Sequence, residues 1–105
     1  MTFPVNTKNE LFERVLLHKD KIRSYGVLQL GIFGSFVRNE VKVNSDIDFF
    51  IHFDPEQKTL KNFIGLAESL EEITGRKIEL ITPQSLSKYI GPYILKEVEY
   101  VPIAA

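Results

Sequence analysis

The stretch GIFGSFVRNEVKVNSDIDFFIHF, from Gly31 to Phe53, decides how this sequence folds. An apolar run ends at the glycine–serine pair 34–35, and after ten intervening residues a second apolar run begins with Asp46 and Asp48. An acidic side chain inside a strand-like apolar run is costly unless it is paired or faces a polar site. The two aspartates therefore indicate that one face of the second run carries a site.

The second run, residues 46–53, is predicted to be a β-strand in which residues two apart share a face. Its apolar face is formed by Ile47, Phe49, Ile51 and Phe53, so both aspartates lie on the opposite face. Two like charges about 4 Å apart repel by roughly 4 kcal/mol at an effective dielectric constant of about 20. A bound proton offsets this repulsion, and a divalent cation offsets it better, with Mg²⁺ or Mn²⁺ favoured by oxygen ligands.

A third acid, Glu79, lies in the apolar run KIELI at residues 77–81, which predicts another strand. If this strand lies beside residues 46–53, three carboxylates converge, which is enough to hold two metal ions. The alternative is that Glu79 belongs to an edge strand and faces water.

The glycine–serine pair supplies the complementary half of the predicted site. Gly34 lets the backbone approach a ligand closely, Ser35 adds a hydroxyl donor, and the turn that follows exposes N–H groups. Such a strand-to-helix corner binds phosphate oxygens. Phosphate on one side and metal-binding carboxylates on the other are typical of a nucleoside triphosphate site.

The rest of the chain predicts helices and strands around this centre. A capping box at 7–10 opens a helix that buries Leu11, Val15 and Ile22 and stops near Gly26. Further elements are a strand at 27–33, a helix from Thr59 to Gly75 that buries Leu60, Phe63, Ile64, Ala67 and Leu70, a short helix after Thr82–Pro83 that Gly91–Pro92 interrupts, and a last strand at 98–101. We predict one α+β (α/β) domain over residues 1–105, with a small mixed sheet and helices on one face.

Composition excludes several classes of protein. The 105 residues contain no cysteine, which excludes disulfides and thiolate metal sites, and no apolar run approaches the roughly 20 residues that span a membrane. The net charge of −1 without a basic block argues against nucleic acid as a partner. Residues 1–10 lack the layout of a signal peptide, so we expect a cytoplasmic protein.

At residues 34–48 the sequence resembles the DNA polymerase β-like nucleotidyltransferase superfamily, and within it the minimal nucleotidyltransferases. FGSFVRNE is similar to the family's Gly-Ser-x-Ala-Arg-Gly segment, SDIDFFI to its metal-binding strand, and GRKIELITPQSL to its third strand. The chain departs from the pattern at Asn39, which replaces glycine, and at Glu79, which replaces the usual aspartate.

The resemblance implies roles for six residues. Nucleotide phosphates are expected at Gly34 and Ser35, with Arg38 near them or in a supporting salt bridge. Two magnesium ions, or manganese, are expected at Asp46, Asp48 and Glu79, which are the expected catalytic residues; Glu79 also assists deprotonation of the acceptor hydroxyl.

The resemblance also implies an activity and a partner. Members of the family transfer AMP from ATP to a tyrosine of a HEPN toxin ribonuclease and so act as its antitoxin. A HEPN partner or a second copy of the chain, as a homo-oligomer, is expected to complete the site. The alternatives are an inactive module that neutralises its partner by binding, and an enzyme that modifies a small molecule such as an aminoglycoside.

Aromatic residues outside the signature have less specific interpretations. His52 is expected to pack or to lie at an edge rather than bind metal, and Tyr89, Tyr93 and Tyr100 are expected to pack the C-terminal elements, with a partner surface as the alternative.

Overall fold

The computed structural model describes residues 2–104 and contains a four-stranded sheet with the strand order β3-β2-β1-β4. The strands are β1 (Val27–Phe33), β2 (Ile47–Phe53), β3 (Ile78–Ile81) and β4 (Glu99–Val101). Strand β1 is antiparallel to both β2 and β4, whereas β2 and β3 are parallel. The predicted mixed sheet is therefore confirmed.

Four helices accompany the sheet: α1 (Lys8–Leu17), α2 (Lys19–Arg23), α3 (Leu60–Thr74) and α4 (Gly91–Glu97). Helix α3 forms the crossover between the parallel strands β2 and β3, as a parallel pair requires. Two 3₁₀ turns, at Gly34–Phe36 and Pro83–Ser85, follow β1 and β3.

One hydrophobic core lies between the sheet and the helices α1, α2 and α3. The predicted apolar face of β2 is buried in this core through Ile47, Phe49, Ile51 and Phe53. The alternation of side chains along β2 therefore leaves its aspartate on the face away from α1 and α3.

The N-terminal helix was expected to be continuous, but the structure divides it into α1 and α2 at His18, whose backbone is not helical (φ −111°, ψ 20°). The predicted start is confirmed, since the Thr7 hydroxyl accepts the Glu10 N–H at 3.1 Å. The predicted inward residues Leu11, Val15 and Ile22 are all fully buried.

Helix α3 begins after Thr59 and ends at Gly75 as predicted, but the predicted buried stripe is partly wrong. Leu70 is buried as predicted, but Leu60 and Ile64 are 75% and 47% exposed, and the helix also buries Leu66 and Ile73.

Gly65 of α3 is in close contact with the ring of Tyr25. A methyl group at Gly65 would stand 2.7 Å from Tyr25 Cε1, and the Tyr25 hydroxyl is 2.7 Å from Ser69 Oγ. These contacts join α3 to the segment between α2 and β1.

The C-terminal segment also differs from the prediction. Gly91–Pro92 begins α4 rather than interrupting a helix, because proline is tolerated in a first helical turn. Tyr89 and Tyr93 are exposed, so the packing expected of them is wrong, whereas the Tyr100 hydroxyl contacts His52 Nε2 at 2.9 Å. Within residues 2–104, no helix combines the length and the apolar content needed to cross a membrane.

Candidate active site

Strand register brings the two halves of the predicted site together at one edge of the sheet. Asp48 on β2 lies opposite Phe33 on β1 and beside Glu79 on β3. Gly34 follows Phe33 directly, so the glycine–serine corner begins where the carboxylates lie.

Gly34 is in direct contact with Asp48. Its φ is +80°, in the left-handed region that only glycine adopts without strain, and a methyl group there would lie 2.2 Å from Asp48 Oδ2. The sequence predicted close approach at this glycine, and the close neighbour is one of the predicted metal-binding carboxylates.

The carboxylates form an electrically coupled group around Asp48, which is half-buried, while Asp46 and Glu79 are exposed. The pKa of Asp48 is raised from 3.8 to about 6, chiefly by burial and in addition by the charge and hydrogen bond of Glu79 and the charge of Asp46. Arg38 opposes this effect. The negative charge of the three carboxylates is therefore offset only in part by Arg38.

The residues present fit a divalent cation by their chemistry, because carboxylate oxygens are the ligands that Mg²⁺ and Mn²⁺ prefer. Asp48 and Glu79 lie side by side as predicted, with Asp46 near enough to affect the Asp48 pKa. Among residues 2–104, however, no three acidic, histidine or cysteine side chains already surround one point as metal ligands. Ligation by all three acids therefore requires side-chain rotation, and their role as ligands stays a prediction.

The phosphate side of the candidate site is a 3₁₀ turn, Gly34–Phe36, that leads into Arg38. The N–H groups of Val37 and Arg38 both donate to the Gly34 carbonyl at 3.1 Å, which closes the corner. Asn39 then takes a φ of +59°, in the left-handed region that asparagine tolerates, so its replacement of the family's glycine is compatible with the turn.

Glu97, the last residue of α4, was missed by the sequence reasoning and contacts two of the residues predicted to bind phosphate, Gly34 and Arg38. Its carboxylate accepts the Gly34 N–H, and its two oxygens lie 2.9 and 3.0 Å from Arg38 Nη1. Glu40 takes the Nε side of the same guanidinium at 2.8 Å. Both carboxylates raise the pKa of Arg38 above its usual value. The one feature of the sequence that could have pointed to Glu97 is its place just before the predicted strand at 98–101.

Arg76 is the second residue that the sequence reasoning missed, and it is only 8% exposed. Its guanidinium donates to four backbone carbonyls and to the side chain of Asn6; the carbonyls belong to Val5, Lys42, Val43 and Ser45. Its Cζ also lies 5.3 Å from the centre of the Phe36 ring. Arg76 therefore fixes both the loop that leads to Asp46 and the underside of the corner.

Comparison with known proteins finds that residues 10–101 match the model of the nucleotidyltransferase domain family. The protein adenylyltransferase MntA of Thermococcus cleftensis is 38% identical over 96 residues, which cover 90% of this chain and 96% of the relative.

Two solved structures share the fold. A toxin–antitoxin structure with AMP-PNP matches with a TM-score of 0.65 at 16% identity, over 86% of this chain and 71% of the other. A complex of a tri-AMPylated HEPN toxin of Shewanella oneidensis with its MNT antitoxin matches with a TM-score of 0.53 at 16% identity, over 81% of this chain and 69% of the other.

Proposed function

Because this chain belongs to the nucleotidyltransferase domain family, we propose that it transfers AMP from ATP to a tyrosine hydroxyl of a HEPN toxin and thereby acts as an antitoxin. The observation that carries the proposal is the register that sets Asp48 beside Glu79 and against Gly34. Phosphate-binding and metal-binding groups must be adjacent for nucleotidyl transfer, and this register supports their adjacency.

The residues divide into two groups by the part of the reaction they serve. Gly34, Ser35 and Arg38 are assigned to the β- and γ-phosphates, which they hold by N–H, hydroxyl and guanidinium donors. Asp46, Asp48 and Glu79 are the residues that would hold two Mg²⁺ or Mn²⁺ ions. Such ions, when bound, stabilise charge on the reacting phosphates and lower the pKa of the attacking hydroxyl.

The transfer itself is an in-line displacement at phosphorus. The acceptor oxygen forms a bond to the α-phosphorus as the bond to the β-phosphate bridging oxygen breaks, and pyrophosphate leaves. Glu79, at the exposed edge of the carboxylate group, is assigned to accept the hydroxyl proton. Positioning and electrostatic stabilisation supply most of the catalysis in this class of reaction.

The proposed acceptor is supported by the known proteins. The relative from Thermococcus cleftensis is named a protein adenylyltransferase, and one structural neighbour is a complex of an AMPylated HEPN toxin with an MNT antitoxin. The AMP-PNP in another neighbour supports a nucleoside triphosphate as donor.

A second candidate function is an inactive module that neutralises a partner by occlusion. Two observations favour it: Glu79 replaces the family's usual aspartate, and the Glu97 carboxylate lies on the phosphate-side donors. One extra methylene displaces a ligand by about 1 Å, a misplacement that costs on the order of 10²-fold in rate.

The test incubates the purified chain with ATP, Mg²⁺ and a HEPN protein, taken from the neighbouring gene where that gene encodes one. We expect pyrophosphate release together with a mass increase of one or more AMP groups on the toxin, lost when the acceptor tyrosine is replaced by phenylalanine. Neutralisation of the toxin without pyrophosphate release identifies the inactive module instead. Release with AMP on another acceptor overturns the tyrosine assignment alone.

A further inference from the structure

The Glu97 carboxylate occupies the same donors that the proposed function assigns to the triphosphate. It accepts the Gly34 N–H and bonds through both oxygens to Arg38. A carboxylate and a phosphate present the same kind of acceptor to an N–H group and a guanidinium, namely anionic oxygens that can bind in a bidentate manner. The Glu97 carboxylate therefore offers these donors anionic oxygens, as a nucleotide phosphate would.

The two anions compete most directly for the Gly34 N–H, which has one hydrogen to donate. At Arg38, Glu97 takes Nη1 and Glu40 takes Nε. A triphosphate seated at the corner would also bring its own negative charge against the Glu97 carboxylate, and like charges in contact repel.

Helix α4 is built so that it can release Glu97. It has seven residues, of which only Gly91 is buried, while Tyr93 and Leu95 are exposed. A segment that buries so little apolar area opens at low free-energy cost. The Arg38–Glu97 pair is itself partly exposed, and exposed ion pairs contribute little stability.

We propose that Glu97 is an intramolecular competitor of the nucleotide: it closes the phosphate corner in the free protein and leaves Gly34 and Arg38 when the triphosphate binds. This inference rests on the proposed phosphate site. It makes the position of α4 a determinant of nucleotide affinity, and any partner that draws α4 away from the corner favours nucleotide binding.

The test measures the affinity for ATP in the presence of Mg²⁺ by isothermal titration calorimetry for the wild type and E97Q. Glutamine keeps the size of the side chain and removes the charge. We expect E97Q to bind ATP about tenfold more tightly, a change of about 1.4 kcal/mol. Weaker or unchanged binding overturns the inference, because a residue that only positions Arg38 for the phosphates would make binding weaker when lost.

Two matched variants separate competition from a general change in charge. E40Q removes a carboxylate from the same guanidinium but leaves the Gly34 N–H covered, so its gain should be clearly smaller than that of E97Q. E99Q changes a glutamate that pairs with Lys8 at 3.1 Å and should leave the affinity unchanged. Equal gains in E40Q and E97Q would refute competition at the corner.

A second measurement follows α4 directly by hydrogen exchange. Binding of ATP with Mg²⁺ should speed exchange in residues 91–98, where the Val98 N–H donates to the Ile94 carbonyl at 2.9 Å, while residues 34–38 become more protected. Slower exchange in both segments refutes the inference. If neither wild type nor E97Q binds ATP, the proposed phosphate site fails together with it. If wild type binds and E97Q gains nothing, only the inference about Glu97 fails.

Discussion

Arg76 and Asp48 both place a charged group partly or wholly inside the domain, but their surroundings differ. The Arg76 guanidinium is almost fully buried, and four carbonyls and an amide oxygen accept its hydrogen bonds. Asp48 is half-buried beside two further acids, with Arg38 as the nearby cation that lowers its pKa. Hydrogen bonds within the fold satisfy the Arg76 charge, whereas the negative charge around Asp48 is only partly offset.

The difference separates a structural residue from a functional one. A satisfied buried charge holds the surrounding backbone in one arrangement, and here it holds the loop before Asp46. An unsatisfied cluster of like charge is destabilising by itself and is retained where a ligand of opposite charge offsets it. The same short domain thus contains a rigid support and, next to it, the carboxylate cluster that we propose as a cation site.

The largest expected effect is a loss of activity when Asp48, in the carboxylate cluster with Asp46 and Glu79, is replaced. D48N should lower the rate of AMP transfer by about 10³-fold, as expected when a group that stabilises the reacting charges is removed. D20N, which changes an exposed aspartate of α2, serves as the matched control and should retain the wild-type rate. Full activity of D48N would refute the site assignment.

The next largest effect is a loss of stability when Arg76, the buried and fully hydrogen-bonded charge, is replaced. R76M keeps the apolar stem but leaves buried carbonyls without their donor, so the free energy of unfolding should fall by about 3 kcal/mol. R14M is the matched control and should lose less, because Arg14 is less buried and donates to two carbonyls, those of Phe3 and Ile73. Urea unfolding of both variants measures the difference. Equal losses would contradict the role given to Arg76.

A smaller effect is expected at Gly34, where the site meets the backbone. G34A should lower the free energy of unfolding by about 1–2 kcal/mol because alanine is strained at positive φ, and by a further amount because its methyl group meets Asp48. The same substitution in a D48A background should lose only the strain term. An identical loss of unfolding free energy in the two backgrounds would show that the contact with Asp48 does not contribute to the effect of G34A.

The smallest effect is the pH dependence of stability without metal. The pKa of Asp48 is about 6 in the folded state and 3.8 in its ordinary state, so the folded protein binds the proton more tightly and loses stability as pH rises through this window. D48N removes this penalty. In EDTA its thermal unfolding midpoint should exceed that of wild type at pH 7, and the gain should shrink as the pH falls through 6 and vanish only below 3.8. A gain that is independent of pH would contradict the ionisation of Asp48 as its cause.

The sequence by itself determined the features that depend on neighbouring residues along the chain. The alternation of apolar and polar residues determined the buried face of β2. Thr7 and Thr59 determined where α1 and α3 begin, and Gly75 determined where α3 ends. These features are local because strand pleat and helix caps depend on a few neighbouring residues. The signature at residues 34–48 likewise predicted which groups belong to the site.

Only the tertiary structure decided the features that depend on residues far apart in the chain. The ring of Tyr25 met Gly65 of α3, and the carboxylate of Glu97 reached Gly34 and Arg38 across some sixty positions. Arg76 met the carbonyl of Val5 across 71 positions. No periodicity or local propensity encodes such contacts, because they arise when the sheet and its helices pack and bring distant backbone groups within hydrogen-bonding distance.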